Sequence, residues 1–319
     1  MNINLTFNSN VPSFVIDAAN FVASFLGSLF SSPVTTTIDV GYGTVGTLPV
    51  STGALGQSMH PLVITNGVMY STTEAAALGI SDPNNQAVGG SVGLNATVPF
   101  TFDPNHRAVL GQTDAIGVLE HEMTEVLGRT AGFYGLTSHL DTFRYTAPGQ
   151  TTNGPGGYFS VDGGNTPIRN YSVTGDHGDW LQPTAQELVS PGYVYDAFTS
   201  QGNSGHILHF SNTDLLEMSS LGYGSNYDQI LCGGTGSRPF VFNDAPGHTI
   251  IEQFQSTGKG HNIINVSRND FTSFRDLMSY TTDDNNGSAV ISLDGTGTND
   301  ITLFGVSKSQ LHRNDFRFH

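Results

Sequence analysis

Apolar and polar positions alternate with a period of two from Ile3 to Phe7 and switch to helical spacing from Ser13 to Phe30. A β-branched run follows from Val34 to Val40, with Gly41 and Gly43 after it. The pattern predicts a strand, a helix and a second strand. A passage rich in Gly, Ser and Thr continues to about Ser71, and a short helix is expected over Thr72 to Leu78 with Gly79 as its stop. Strand-like pieces near Val92 to Phe102 lead through the turn cluster Asp103-Pro104-Asn105 into a second helical pattern. There Ile116, Leu119, Met123 and Val126 or Leu127 repeat at helical spacing, Thr113 and Asp114 can cap the start, and Gly128 and Gly132 can end it. Short strands and tight turns then carry isolated Asp and His residues, up to a helical stretch from Asn212 to Leu221 closed by Gly222.

The pattern changes after about Gly224. Short β-branched pieces at Phe240 to Phe242, Thr249 to Phe254, Asn262 to Val266, Ala289 to Leu293 and Asp300 to Val306 are separated by turn residues, as in a stacked β-structure. The expected fold class is α+β: a mixed α/β domain over 1–225, followed by a β-rich stacked domain over 226–319. No run approaches the 18 to 20 apolar residues of a membrane span. The apolar segment Val11 to Phe30 lacks a basic flank, since the first Lys or Arg in the chain is Arg107, and it reads as a helix of the mature fold.

Charge narrows the partners. Eleven Lys and Arg stand against 27 Asp and Glu among 319 residues, a formal net charge of −16. That balance argues against nucleic acid or an anionic membrane surface as partner. Carboxylates in Gly-rich loops are what Ca²⁺ favours, and Asp162, Asp176 and Asp179, each close to Gly, could hold it, although Asp-Gly pairs more often make turns. The single cysteine, Cys232, rules out an intramolecular disulfide and reads as a small buried hydrophobe.

The stretch Glu120-His121-Glu122-Met123-Thr124-Glu125 concentrates the candidate chemistry. His121 and Glu125, four apart, project from one helix face and could share a metal ion. Glu122 holds the place of the general base in an H-E-x-x-H zinc site, but here the second ligand is a carboxylate. Zinc accepts that donor, and the added negative charge should make the attacking water a weaker acid, moving activity to higher pH. The same residues would also suit a solvated acidic face. A hard cation such as calcium or manganese, held by Glu120, Glu122 and Glu125, is a further alternative.

Two resemblances extend this reading. The last 90 or so residues resemble the closing module of RTX proteins, on Gly233-Gly234-Thr235-Gly236, Phe240-Val241-Phe242-Asn243, Thr249 to Phe254, Phe271 to Met278, Ile301 to Val306 and Asn314-Asp315-Phe316. The Gly-rich calcium repeat occurs once, with Arg238 where an Asp is expected. The resemblance implies a secreted bacterial protein exported by type I machinery. The first 225 residues resemble bacterial metallopeptidase-like proteins related in outline to metzincins, on Thr37 to Gly43, His121 to Arg129, Leu140 to Gly149 and Gly175-Asp176-His177-Gly178-Asp179-Trp180. A peptidase joined to an RTX tail is also the serralysin architecture. Together they imply a zinc-dependent peptidase acting on protein or peptide substrates. Against the metzincin pattern, Glu125 replaces the second His and Ala131 stands at the third. The third ligand is expected to be Asp141, with His139 as the alternative and His177 and Asp179 next. Met218 is a candidate for the methionine beneath the metal. The rival expectation is a non-catalytic extracellular adhesive or structural protein with a degenerate peptidase fold.

Overall fold

The computed structural model describes residues 1–81, 89–184, 195–202, 204–234, 239–242, 246–258 and 261–319. Thr235 to Arg238, most of the Gly-rich repeat, and Asn243 lie outside the described residues. The chain is mixed α and β, with many strands and few helices among the described residues, and it divides into two compact units, Met1–Ser225 and Asn226–His319.

In the first unit a four-stranded sheet has the order Asn2–Phe7, Thr35–Tyr42, Gly90–Leu94, Gly56–Met59. The first three strands run parallel, and Gly56–Met59 lies antiparallel at the edge. Thr36, Ile38 and Val40 alternate inward, as a period of two requires. The helix Ser13–Leu29 connects the first two strands and buries Val15, Ala18, Ala19, Val22, Phe25, Leu26 and Leu29, a stripe at helical spacing.

The motif helix, Ala115–Val126, packs against the edge strand, the Gly90–Leu94 strand and the long helix. Asp114 caps it, accepting from the Ile116 N–H at 3.1 Å. Its sides are all covered: each of its residues except His121 is buried, and His121 is partly so. The acidic face is therefore not a solvated one. The strand backbones come close because they carry glycine. A Cβ on Gly90 would lie 2.7 Å from Val126 Cγ1, and one on Gly56 would lie 2.7 Å from Glu122 Oε1. Those approaches set the distance between edge strand and motif.

The helix ends in a Schellman turn. Gly128, at φ +113°, donates to the Glu125 carbonyl at 2.9 Å, and the Arg129 N–H reaches back to the Thr124 carbonyl at 3.1 Å. The turn folds Arg129 under its own helix, where it is fully buried. The helix Asn212–Met218 opens with a capping box from Ser211 and Asp214. Met218 is wholly buried and does not line the cleft described below.

The second unit holds two sheets. One has the order Gln229–Cys232, His248–Glu252, Asp300–Leu303, Ala289–Ser292, Thr281–Asp283, and its first three strands are parallel. The other, Pro239–Val241, Ile263–Val266, Phe316–Phe318, is parallel throughout. Successive parallel strands alternate between the sheets, so that the chain winds as a stack, interrupted by the helix Phe274–Ser279 and an antiparallel pair. Ile251, Ile264, Val266, Leu277, Ile291, Ile301 and Leu303 form its core. Cys232 is only partly buried.

Candidate metal centre

Beside the edge strand the motif helix opens onto a cleft of about 780 Å³, lined by His121, Glu122, Glu125, Asp179, His60 and Phe133 among others. His121 Nδ1 donates to the Ala197 carbonyl at 2.8 Å, which turns Nε2 toward the carboxylates. Nε2 lies 3.2 Å from Glu125 Oε1 and 3.3 Å from Asp179 Oδ1. Two ligands held at about 2.1 Å by a tetrahedral zinc ion stand about 3.4 Å apart, so both spacings suit a shared ion. His121, Glu122 and Glu125 also form a group whose ligand atoms all lie within 4.8 Å of one another. On spacing and on donor chemistry, these residues fit zinc.

Neither expected third ligand, Asp141 or its alternative His139, is in the group. Asp141 Oδ1 accepts from Arg144 at 2.5 Å, and its Oδ2 accepts the N–H groups of Gly132 and Ser138 at 2.9 and 2.8 Å. It is a loop anchor with both oxygens engaged. His139 pairs instead with buried Glu74 at 2.9 Å. Glu120 lies 3.5 Å from Arg107, so the cluster of three glutamates expected for a hard cation does not form on one side of the helix. Asp162 organises its own turn through Ser160 and Thr166. Asp176 lines the cleft and accepts from the Gly178 N–H. Among the described residues, none of Asp162, Asp176 and Asp179 joins a group of three potential ligands within 4.8 Å, and of the three only Asp179 has a carboxylate oxygen in contact with His121 Nε2.

Asp179 was only a secondary candidate from sequence, and its local context explains its position. Trp180 beside it is a core residue with no exposure, donating to Asp214 at 2.7 Å. That anchor aims Asp179 at the motif helix.

No family model matches the chain, and no curated protein and no solved structure matches it.

Arg129 completes the centre. Its guanidinium donates to Asp179 Oδ1 at 3.0 Å, to the Gly178 carbonyl at 3.3 Å and to Thr124 at 3.1 Å, lies 3.5 Å from Glu125 Oε1, and stacks 4.1 Å over the Phe198 ring. Burial by itself would lower the His121 pKa. The Asp179 carboxylate, with help from Glu125, overrides that and raises it to about 10. Burial and then the charge of Glu125 push Glu122 well above the usual carboxylate range. Without a metal, the cluster is a buried imidazolium and guanidinium among carboxylates.

Two contributors were not foreseen. Ser58, on the edge strand, donates to Glu125 Oε2 at 2.6 Å, and His60, just past the end of that strand, lines the same cleft. A serine two residues before a histidine, ahead of Pro61, was the only trace of them in the sequence.

Proposed function

We propose that the first unit is a zinc-dependent peptidase in which His121, Glu125 and Asp179 hold the metal. The observation that carries this reading is the pair of spacings from His121 Nε2, 3.2 Å to Glu125 and 3.3 Å to Asp179, with Glu122 alongside in the cleft. Bound zinc would polarise the scissile carbonyl and acidify the attacking water. The ion's positive charge would offset the burial and the Glu125 charge that hold the Glu122 carboxyl protonated, and Glu122 would take the proton from that water as its oxygen adds to the carbonyl carbon. It then delivers the proton to the leaving nitrogen as the C–N bond breaks. The edge strand Gly56–Met59 ends its sheet, so an extended peptide can add to its outer side and pass Glu122. Arg129 supplies one positive charge against the carboxylates of Glu125 and Asp179, which opposes the alkaline shift expected from a carboxylate-rich ligand set.

The deciding experiment is elemental analysis of the dialysed protein beside His121→Ala, followed by peptide cleavage with Glu122→Ala as control. One zinc per chain, lost in His121→Ala, together with cleavage that needs Glu122, is the expected result. Absence of zinc from the wild type sinks the reading. In that case the buried Arg129 contacts favour a second one: a metal-free charge cluster inside a non-catalytic extracellular protein. For the second unit we propose the role its RTX resemblance implies, a type I export signal. Secretion of a passenger protein fused to residues 226–319, from a host with that machinery, tests it.

A further inference from the structure

Both ring nitrogens of His60 are shielded from solvent, and neither has a hydrogen-bond partner. Buried polar groups are nearly always paired, and one left unpaired costs roughly 1–3 kcal/mol, so a lone imidazole points to a partner that arrives from outside. Its place says which kind. Side chains two apart on a strand share a face. The Cβ direction at Gly56 meets Glu122, the Ser58 hydroxyl meets Glu125, and His60, one residue past the end of the strand, lines the same cleft close enough to feel the charge of Glu125. Neither nitrogen of His60 has a hydrogen-bond partner, whereas Glu125 and Asp179 lie 3.2 and 3.3 Å from His121 Nε2, so His60 stands beside the proposed ligands.

We propose that His60 is a catalytic residue that contacts the substrate: its side chain turns from the shielded position into the cleft, where its ring N–H hydrogen-bonds the scissile carbonyl oxygen and strengthens that bond as the oxygen gains negative charge. The missing partner of the imidazole is then the substrate itself. The inference rests on the peptidase reading and adds to it a residue outside the H-E-x-x-E helix. A donor aimed at a developing oxyanion acts mainly on the transition state, so its removal lowers kcat more than it raises KM.

The test uses the full chain as wild type, His60→Ala and His60→Gln. Zinc content, melting temperature, kcat and KM on a fluorogenic peptide, and affinity for a peptide phosphonamidate and a peptide hydroxamate are measured on each. The phosphonamidate carries a tetrahedral anionic oxygen. The expected result for His60→Ala is unchanged zinc, a kcat lower by roughly 100-fold with KM within a few-fold, and a comparable loss of phosphonamidate affinity with little change for the hydroxamate. His60→Gln, which keeps an N–H donor, recovers part of the loss. If either variant loses its zinc while remaining folded, His60 is a ligand and the proposal fails. If kcat is unchanged, His60 only packs the strand and it fails again. Should both variants unfold, the wild type decides: a histidine ring N–H resonance absent from spectra of His60→Ala must shift on adding phosphonamidate, and no shift overturns the proposal. A wild type without zinc or cleavage is a separate outcome. It removes the peptidase reading first, and this inference with it.

Discussion

Ser58 Oγ donates a hydrogen bond of 2.6 Å to Glu125 Oε2, joining the edge strand to the motif helix across the floor of the cleft. The bond fixes the plane of the carboxylate and leaves Oε1 toward His121, 3.2 Å away. With burial opposing them, His121 and Arg129 together with this hydroxyl hold Glu125 at a pKa of about 2. Outer hydrogen bonds of this kind typically contribute 10- to 100-fold to metal affinity. Ser58→Ala should therefore weaken zinc binding by about 10-fold or more, with His121 and Glu122 intact. Competition with a chelator of known affinity measures it, and an unchanged zinc affinity would remove Ser58 from the centre.

Gly56 has no room for a side chain. A Cβ there would lie 2.7 Å from Glu122 Oε1, 2.8 Å from its Cγ and 2.9 Å from Val118 Cγ1. Forcing atoms into a packed site typically costs about 1–3 kcal/mol, and here the group that must give way is the proposed general base. Gly56→Ala should retain zinc and cleave peptides at least about 10-fold more slowly, since small misplacement of a reacting group is costly. Cleavage at the wild-type rate would place the base elsewhere.

Arg129 is a buried cation with its charge partners buried around it. Removing one member of such a set leaves the others uncompensated. Arg129→Met in the metal-free protein should cost about 3–5 kcal/mol, a large part of the stability of a typical domain. Arg129→Lys keeps the charge but not the fork that reaches Asp179, Gly178 and Thr124 together, and it should recover only part of the loss. Urea denaturation of the three proteins checks the order. A neutral Arg129→Met would mean that the carboxylates are protonated in the fold.

The parts of this arrangement that were legible in the sequence are those set by local pattern. The stripe from Val15 to Leu29 and the Asp114 cap each depend on neighbours within a few residues, and they appear within a residue or two of their expected places. The strand Gly56–Met59 carried no such signal. Gly-Gln-Ser-Met has no apolar alternation, because the strand faces a polar cleft on one side. Asp141 follows Leu140, a buried core residue, but Arg144, three residues on, engages its carboxylate. Asp179 comes to His121 through a contact 58 residues distant in the chain, as 179 minus 121 gives. Such proximity depends on topology. The local hint was Trp180, a large core anchor directly after Asp179 in the chain.

Glu74 and Glu217 set the pH dependence of stability. Burial raises Glu74 from 4.5 to about 7, although the His139 hydrogen bond pulls the other way, and burial raises Glu217 from 4.5 to about 8 against the pull of Arg129. A carboxyl whose folded pKa exceeds its unfolded value binds more protons in the folded state. Stability therefore falls as pH rises above the unfolded pKa, and the fall ends once the folded pKa is passed. For Glu74 the window runs from 4.5 to about 7, and for Glu217 from 4.5 to about 8. At 1.36 kcal/mol per pKa unit, Glu74 alone accounts for about 3 kcal/mol as an upper bound. His121, raised to about 10 in the metal-free protein, acts in the same direction: its contribution is complete below 6.5 and is lost toward pH 10. The metal-free first unit should thus be more stable at pH 5 than at pH 8. Glu74→Gln, which fixes a neutral group of the same shape beside His139, should flatten part of that slope. Urea midpoints from pH 5 to pH 8 measure both proteins. A wild-type midpoint that rises across this range would mean that the two glutamates are charged in the fold and held by partners stronger than His139 and Arg129.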